Sequence, residues 1–303
     1  MATLAWDHFH DQRIAGAGAT LNVRCGPPAP GRPALLLLHG FPQSHVMWRK
    51  VAPLLAVEFN LVVPDLRGYG DSDKPPASPD FREYSKRAMA ADLVEVMRAL
   101  GHDRFLVAGH DRGGRVAHRL AVDHSDRVMK LMLLDIAPTL AMYEQTRLEF
   151  ARAYWWWFFL IQPAPLPERL ITAEPALFLE RKIGKGPAGL APFEATAYRE
   201  YSRYVSDYAT VEAMCNDYRA AATIDLDHDR EDRAAGRRIR CPVRALWANG
   251  GTVGRCFEPL REWRAVTDEA FTVTGGPLDC GHYIAEEVPA VLYDEMNRFF
   301  GGG

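Results

Sequence analysis

The stretch Leu106–Arg115, Leu-Val-Ala-Gly-His-Asp-Arg-Gly-Gly-Arg, constrains this chain more than any other. An apolar run breaks at Gly109, one acidic residue stands at the corner, and apolar spacing restarts through Val116, Ala117 and Leu120. That is the pattern of a buried strand, a sharp elbow and a helix. A Gly-x-Ser-x-Gly elbow of this shape lifts a serine above the end of a sheet, beside backbone N–H groups that can hold an oxyanion. Here Asp111 stands at the serine position, and no Gly-x-Ser-x-Gly occurs elsewhere. A carboxylate attacking an acyl carbon would form an anhydride. In-line attack on an sp3 carbon instead forms an ester whose carbonyl belongs to the protein, and water attacking that carbonyl restores the aspartate and releases an alcohol. Asp is also a favoured helix N-cap, so the nucleophile reading depends on partners elsewhere in the chain.

The flanking segments alternate in type. Residues 19–24 alternate apolar and polar as a half-buried strand does, and Ala34–Leu38 is continuously apolar, as expected of a strand covered on both faces. Leu61–Val63, Phe105–Ala108 and Val128–Leu134 are further strands, and Met89, Leu93, Val96, Met97 and Leu100 follow helical spacing between Lys86 and Leu100. A helical segment is expected around Met47 to Leu55. Alternation of strand and helix predicts a doubly wound sheet. From Pro138 to about Ile224 the chain turns helical and aromatic, which predicts a helical insertion after the sixth strand, and Asp225–Arg240 reads as a solvated linker back to the core. Val243–Trp247 and Phe271–Val273 are late strands and Val288–Phe300 a closing helix.

The formal net charge of −3 and 25% charged residues give no sign of nucleic acid or a membrane surface as partner. Five scattered cysteines without a Cys-x-x-Cys pair indicate neither a disulfide framework nor a metal site, and no cofactor motif is found. The opening segment MATLAWDHFH lacks the pattern of an export signal. A cytoplasmic protein is expected.

A carboxylate nucleophile needs a base, an acid to orient it and an oxyanion hole. Of ten histidines, His282 is best placed, after the last strand and before the final helix. The orienting acid can follow the sixth or the seventh strand. After the seventh no acid occurs before Glu258, whereas Asp135 directly follows Leu134, which selects Asp135. The oxyanion donors are the backbone N–H groups of Arg112 and of Phe41, in the loop His39-Gly40-Phe41-Pro42. Arg112 and Arg115 share one face of the first helical turn, at an end that favours anions. Two cations beside a nucleophilic carboxylate point to a small anionic substrate. An ordinary ion pair with a surface acid is the competing account, weaker for Arg112 than for Arg115.

Gly109–Arg115, His39–Gln43, Leu134-Asp135-Ile136, the turn Gln162–Pro167 and Asn216–Ala220 together resemble the haloacetate dehalogenases, across most of the chain. Haloalkane dehalogenases and most epoxide hydrolases of the superfamily typically carry Trp after the nucleophilic Asp, where this chain has Arg112. The resemblance implies an α/β-hydrolase fold, with a mostly parallel eight-stranded sheet flanked by helices and an inserted helical cap. Residues 1–137 and 226–303 would form the core and 138–225 the cap. It implies hydrolysis of short 2-halo carboxylic acids, with Arg112 and Arg115 on the substrate carboxylate, Trp157 and Tyr218 on the departing halide, and a homodimer. The family's halide-binding histidine is absent, and Trp156 takes its place in Tyr154-Trp155-Trp156-Trp157. Indole offers one neutral N–H and more bulk than imidazole, so chloroacetate and bromoacetate are expected to be better substrates than fluoroacetate. Packing of the cap core is the alternative for these tryptophans, foremost for Trp155. The glycines and proline of Gly275-Gly276-Pro277 read as a loop that could displace His282. Two other functions fit the same residues: an epoxide hydrolase with Tyr218 and Tyr143 as acids, and a non-catalytic binder of a small acid.

Overall fold

Leu35 and Leu37 lie in one hydrophobic cluster, Leu36 and Leu38 in another, so this apolar run is a strand buried on both sides. The computed structural model describes residues 5–186 and 188–301; of the opening segment MATLAWDHFH, residues 1–4 lie outside the described residues. Its sheet has eight strands: β1 His10–Ala15, β2 Thr20–Cys25, β3 Ala34–Leu38, β4 Asn60–Pro64, β5 Phe105–His110, β6 Val128–Leu134, β7 Val243–Ala248 and β8 Val273–Leu278. Their spatial order is β1-β2-β4-β3-β5-β6-β7-β8. β1, β2 and β4 pair antiparallel, and every other pair is parallel.

The period-two alternation of the strands sorts their side chains between two layers. Leu36, Val107, Leu131 and Val243 pack with Leu93, Met97, Val116 and Leu120 from the helices Lys86–Ala99 and Arg112–Asp123. Leu37, Leu106, Met132 and Leu246 pack on the other face with Trp48, Leu55, Leu292 and Met296. Each such leucine contributes about 1.5–3 kcal/mol by leaving water. β1 was not located from the sequence because, as an edge strand, it is largely exposed and carries no apolar run.

Between β6 and β7, eight helices and no strand occur among the described residues, from Thr139–Glu144 to Ile224–Ala235. The last of these corrects an expectation: Asp225–Arg240 is not mainly a linker. Three of its acidic residues, Asp225, Asp229 and Asp232, face inward, with Arg119 of the core bound to Asp229 at 2.6 Å and to Asp232, which makes a docked helix of a charged run. The expected division at 225/226 falls inside this helix. The segment Met47–Leu55 is two short turns rather than one helix.

A second correction concerns Gly275-Gly276-Pro277, which lies inside β8 in register with Ala245-Leu246-Trp247 of β7. Gly275 has φ +135°, and a Cβ there would stand 1.7 Å from the Ala245 carbonyl oxygen. Glycine therefore permits the pairing rather than ending it. No helix among the described residues is long and apolar enough to cross a membrane.

Candidate active site

The elbow forms because two close approaches exclude side chains. A Cβ on Gly113 would lie 2.3 Å from the His39 carbonyl oxygen, and one on Gly109 2.6 Å from that of Gly113. Between them Asp111 has φ +48°, a conformation that L residues adopt only under tertiary constraint. Its carboxylate is buried where β5 meets the helix Arg112–Asp123. Burial alone would raise its pKa, but His282, Lys182, His110 and Arg115, all cationic at the low pH where this carboxylate titrates, outweigh burial and hold it below the usual carboxylate range. The group is an anion at neutral pH.

The two carboxylate oxygens differ. Oδ1 accepts the backbone N–H of Phe41 at 3.0 Å. Oδ2 faces His282 Nε2 at 3.9 Å, beyond hydrogen-bond reach. His282 Nδ1 donates to Asp135 Oδ2 at 2.5 Å, and the other oxygen of Asp135 accepts the Ala248 N–H at 3.0 Å. With Nδ1 carrying the proton, Nε2 presents a lone pair, and no hydrogen-bond partner occupies it. Asp135 also has positive φ, at +50°, immediately after β6. His110 Nε2 donates to the His282 carbonyl at 2.9 Å, so the residue before Asp111 anchors the segment that carries His282. Burial and the neighbouring His282 lower the His110 pKa to about 3, which keeps it neutral. A cavity of about 500 Å³, lined by Asp135, Tyr154, Lys185, Arg255 and His282 among others, gives solvent a way to this pair.

Arg112 is not free. Its Nε bonds Asp217 Oδ2 at 2.7 Å and its Nη2 bonds Asp217 Oδ1 and the Asp217 carbonyl at 2.9 Å each, leaving Nη1 buried and unpartnered. Asp217 also accepts Lys86 Nζ and, at 2.6 Å, the Tyr69 hydroxyl. Among the described residues Arg115 touches no acid; its Nη1 bonds Thr139 Oγ1 at 2.9 Å and the Ala137 carbonyl at 3.2 Å, and its Nε is unpartnered. The order expected for the two arginines is thus reversed: Arg112 pairs with an acid, a buried one, and Arg115 does not.

Aromatic rings of the helical insertion cover these cations. Tyr218 lies 4.1 Å from the Arg112 guanidinium carbon and Trp157 4.6 Å from that of Arg115. Trp156 and Trp157 are fully buried with unpartnered indole N–H groups, and the Tyr218 hydroxyl is unpartnered too. Burial and the charge of Asp111 raise the Tyr218 pKa, so that hydroxyl remains a donor. Trp155, expected to be the packing residue, is 39% exposed, because helix geometry turns it away from its two neighbours. The Tyr143 hydroxyl is buried and unpartnered as well.

Sequence reasoning missed Asp217, Lys86 and Lys182. The helix Tyr208–Ala222 is buried nearly all round, so no periodicity singles out Asp217. Lys182 could have been found, since Phe178, Leu179, Lys182 and Ile183 occupy one helical face and the other three are apolar.

The family model for the α/β hydrolase fold matches residues 33–181. A fluoroacetate dehalogenase from Burkholderia sp is 43% identical over 281 residues, 92% of this chain and 90% of that protein. A soluble epoxide hydrolase from Corynebacterium sp. (strain C12) is 34% identical over 88% of this chain and 89% of its own length. A crystal structure from Nostoc sp PCC 7120, assigned to the α/β hydrolases, superimposes with a TM-score of 0.93 at 48% identity, covering 98% of this chain and all of that one. With Asp in place of Ser at the elbow and this extent of similarity, the chain belongs to the haloacetate dehalogenase-like α/β hydrolases, a family of enzymes.

Proposed function

We propose that this enzyme hydrolyses short 2-halo carboxylic acids, converting haloacetate to glycolate and halide. The observation that carries the reading is the division of labour at Asp111: one oxygen on the Phe41 N–H, the other toward a histidine whose far nitrogen is held by Asp135. Arg112 Nη1 and Arg115 Nε, both unpartnered, take the substrate carboxylate. Asp111 Oδ2 attacks the halogen-bearing carbon in line; the C–O bond forms as the C–halogen bond breaks, and the halide leaves with the electron pair. Trp157, Tyr218 and Trp156 face it with N–H and O–H donors. In the resulting ester Oδ1 is the carbonyl oxygen. It already lies on the Phe41 N–H, so negative charge that develops there meets a prepositioned donor, with the Arg112 N–H as the second. His282 Nε2 removes a proton from water, which attacks the ester carbonyl; as the tetrahedral intermediate collapses the departing alkoxide takes the carboxyl proton and leaves as glycolate, Asp111 is restored as a carboxylate, and His282 releases its proton to solvent. His282 in this role contributes about 10²- to 10⁴-fold. The reading includes a homodimer, to be measured by light scattering.

The experiment is halide release from fluoroacetate, chloroacetate and bromoacetate, with intact-protein mass of wild type and His282→Ala. Halide and glycolate from wild type, a persistent adduct on His282→Ala, and no adduct on Asp111→Asn are expected, with fluoroacetate the slowest. No halide and no adduct from any of the three overturns the reading. A second reading, epoxide hydrolysis, draws on the free hydroxyls of Tyr218 and Tyr143; turnover of a neutral epoxide that survives loss of both arginines would favour it. Small-acid binding without turnover would favour a binding protein.

A further inference from the structure

Seven lysines and arginines are buried among the described residues: Arg67, Lys86, Arg112, Arg115, Arg119, Lys182 and Arg219. Five have a carboxylate oxygen within ion-pair distance. The two without are Arg115 and Lys182, and both lie close enough to Asp111 to lower its pKa. Arg115 is accounted for by the substrate carboxylate; Lys182 is not.

Lys182 is 1% exposed and lies in the last turn of the helix Pro175–Ile183. A lysine at a helix C-terminus is ordinarily a solvated cation that complements the dipole. This one turns inward. Among the described residues its one hydrogen bond is to the hydroxyl of Tyr283, next to His282 in the chain, at 2.7 Å, so two of its three N–H donors have no partner there. The ammonium lies 4.3 Å from the Trp156 ring centre and 5.5 Å from that of Phe41, whose backbone N–H holds Asp111. An uncompensated buried cation is costly unless a second anion joins it. The nucleophile supplies one anion, and the displacement creates another.

We propose that Lys182 holds the departing halide, its ammonium on the Trp156 face supplying the positive charge that the neutral indoles and phenol there do not. The proposal rests on Asp111 being the nucleophile and on Trp156 marking the leaving-group end. In the displacement Lys182 keeps its proton: its N–H donates a hydrogen bond to the halide as the C–halogen bond breaks, and no proton is transferred. A charge that strengthens only as the halide develops acts on the rate of alkylation rather than on binding of the substrate carboxylate.

The test compares wild type, Lys182→Met and Lys182→Arg by bromide quenching of tryptophan fluorescence, which Trp156 and Trp157 report. It also follows the rate of adduct formation from chloroacetate by intact mass in a His282→Ala background. Loss of one charge-assisted contact should weaken bromide binding and slow alkylation by about 10- to 100-fold in Lys182→Met. Lys182→Arg should retain most of both, and KM for chloroacetate should change little. Bromide affinity and alkylation rate unchanged in Lys182→Met overturn the proposal. So does an effect confined to KM. Absence of any adduct in the His282→Ala parent overturns instead the dehalogenase reading beneath it, which separates the two failures. Should Lys182→Met not fold, Lys182→Gln, uncharged and polar, is read in its place.

Discussion

Asp217→Asn is the most informative single substitution at this site. Asp217 is buried and accepts Arg112 through both Nε and Nη2, the Tyr69 hydroxyl at 2.6 Å, and Lys86. Asn keeps the shape, removes the charge and turns one acceptor into a donor, which then faces a donor. Breaking a buried ion pair by removing one partner costs about 3–5 kcal/mol. For a protein of this size 1 kcal/mol moves Tm by about 2–4 °C, so a fall of about 6–20 °C is expected by calorimetry. The effect on substrate separates two roles. If Asp217 only neutralised Arg112, its loss would strengthen the site's positive field and lower KM for chloroacetate. If Asp217 positions Arg112 so that Nη1 faces the substrate, KM rises despite the added positive charge. The geometry, a two-point clamp with a third bond to the Asp217 carbonyl, favours positioning. Lys86→Met added to Asp217→Asn restores the charge balance. It should recover part of the lost stability but not KM, a coupling that a double-mutant cycle measures. A Tm within about 2 °C of wild type with KM unchanged would refute the clamp.

Asp135→Asn should leave alkylation intact and slow ester hydrolysis by about 10²- to 10⁴-fold, since His282 loses the acceptor that fixes its tautomer; the adduct then builds up in intact-mass spectra. Gly275→Ala should destabilise the protein by about 3 kcal/mol or more, read as lost soluble yield or a lowered Tm, because its Cβ meets the Ala245 carbonyl. Burial and the like charge of Lys185, against the pull of Asp111 and Asp135, lower Lys182 from 10.5 to about 7. With Tyr283 its hydrogen-bond partner, Lys182 is charged below pH 7 and increasingly neutral above. The alkylation rate should therefore fall as pH rises through about 7, and Lys182→Met should flatten that limb. Because the unfolded chain holds the proton up to about 10.5, the same group makes stability rise with pH between about 7 and 10.5, which urea titration at several pH values can follow.

Much of this site was legible in the chain before any coordinates. Asp111, His282 and Asp135 follow from the ends of strands, because the parallel sheet delivers those ends to one edge and local patterns mark them. The Phe41 N–H was legible for the same reason, as the loop after β3 must pass over that edge. The apolar runs of β3, β5 and β6 determine their layer, since period two leaves no choice of which leucine faces which helices. What the sequence could not decide were pairings made across the fold. Arg112 and Asp217 are 105 residues apart, and nothing local distinguishes an arginine aimed at a substrate from one clamped by a buried acid. Gly275 reads as a loop because glycine lacks strand propensity; only the approach of the Ala245 carbonyl shows that a strand needs it there. The charged run from Asp225 reads as solvated because the sequence does not show Arg119 waiting opposite its acids. Local pattern thus decides where backbone and apolar faces go, since those preferences act over a few residues. The partner of a buried charge is decided by which distant side chain the closed fold brings within about 3 Å of it, and that is a property of the tertiary structure alone.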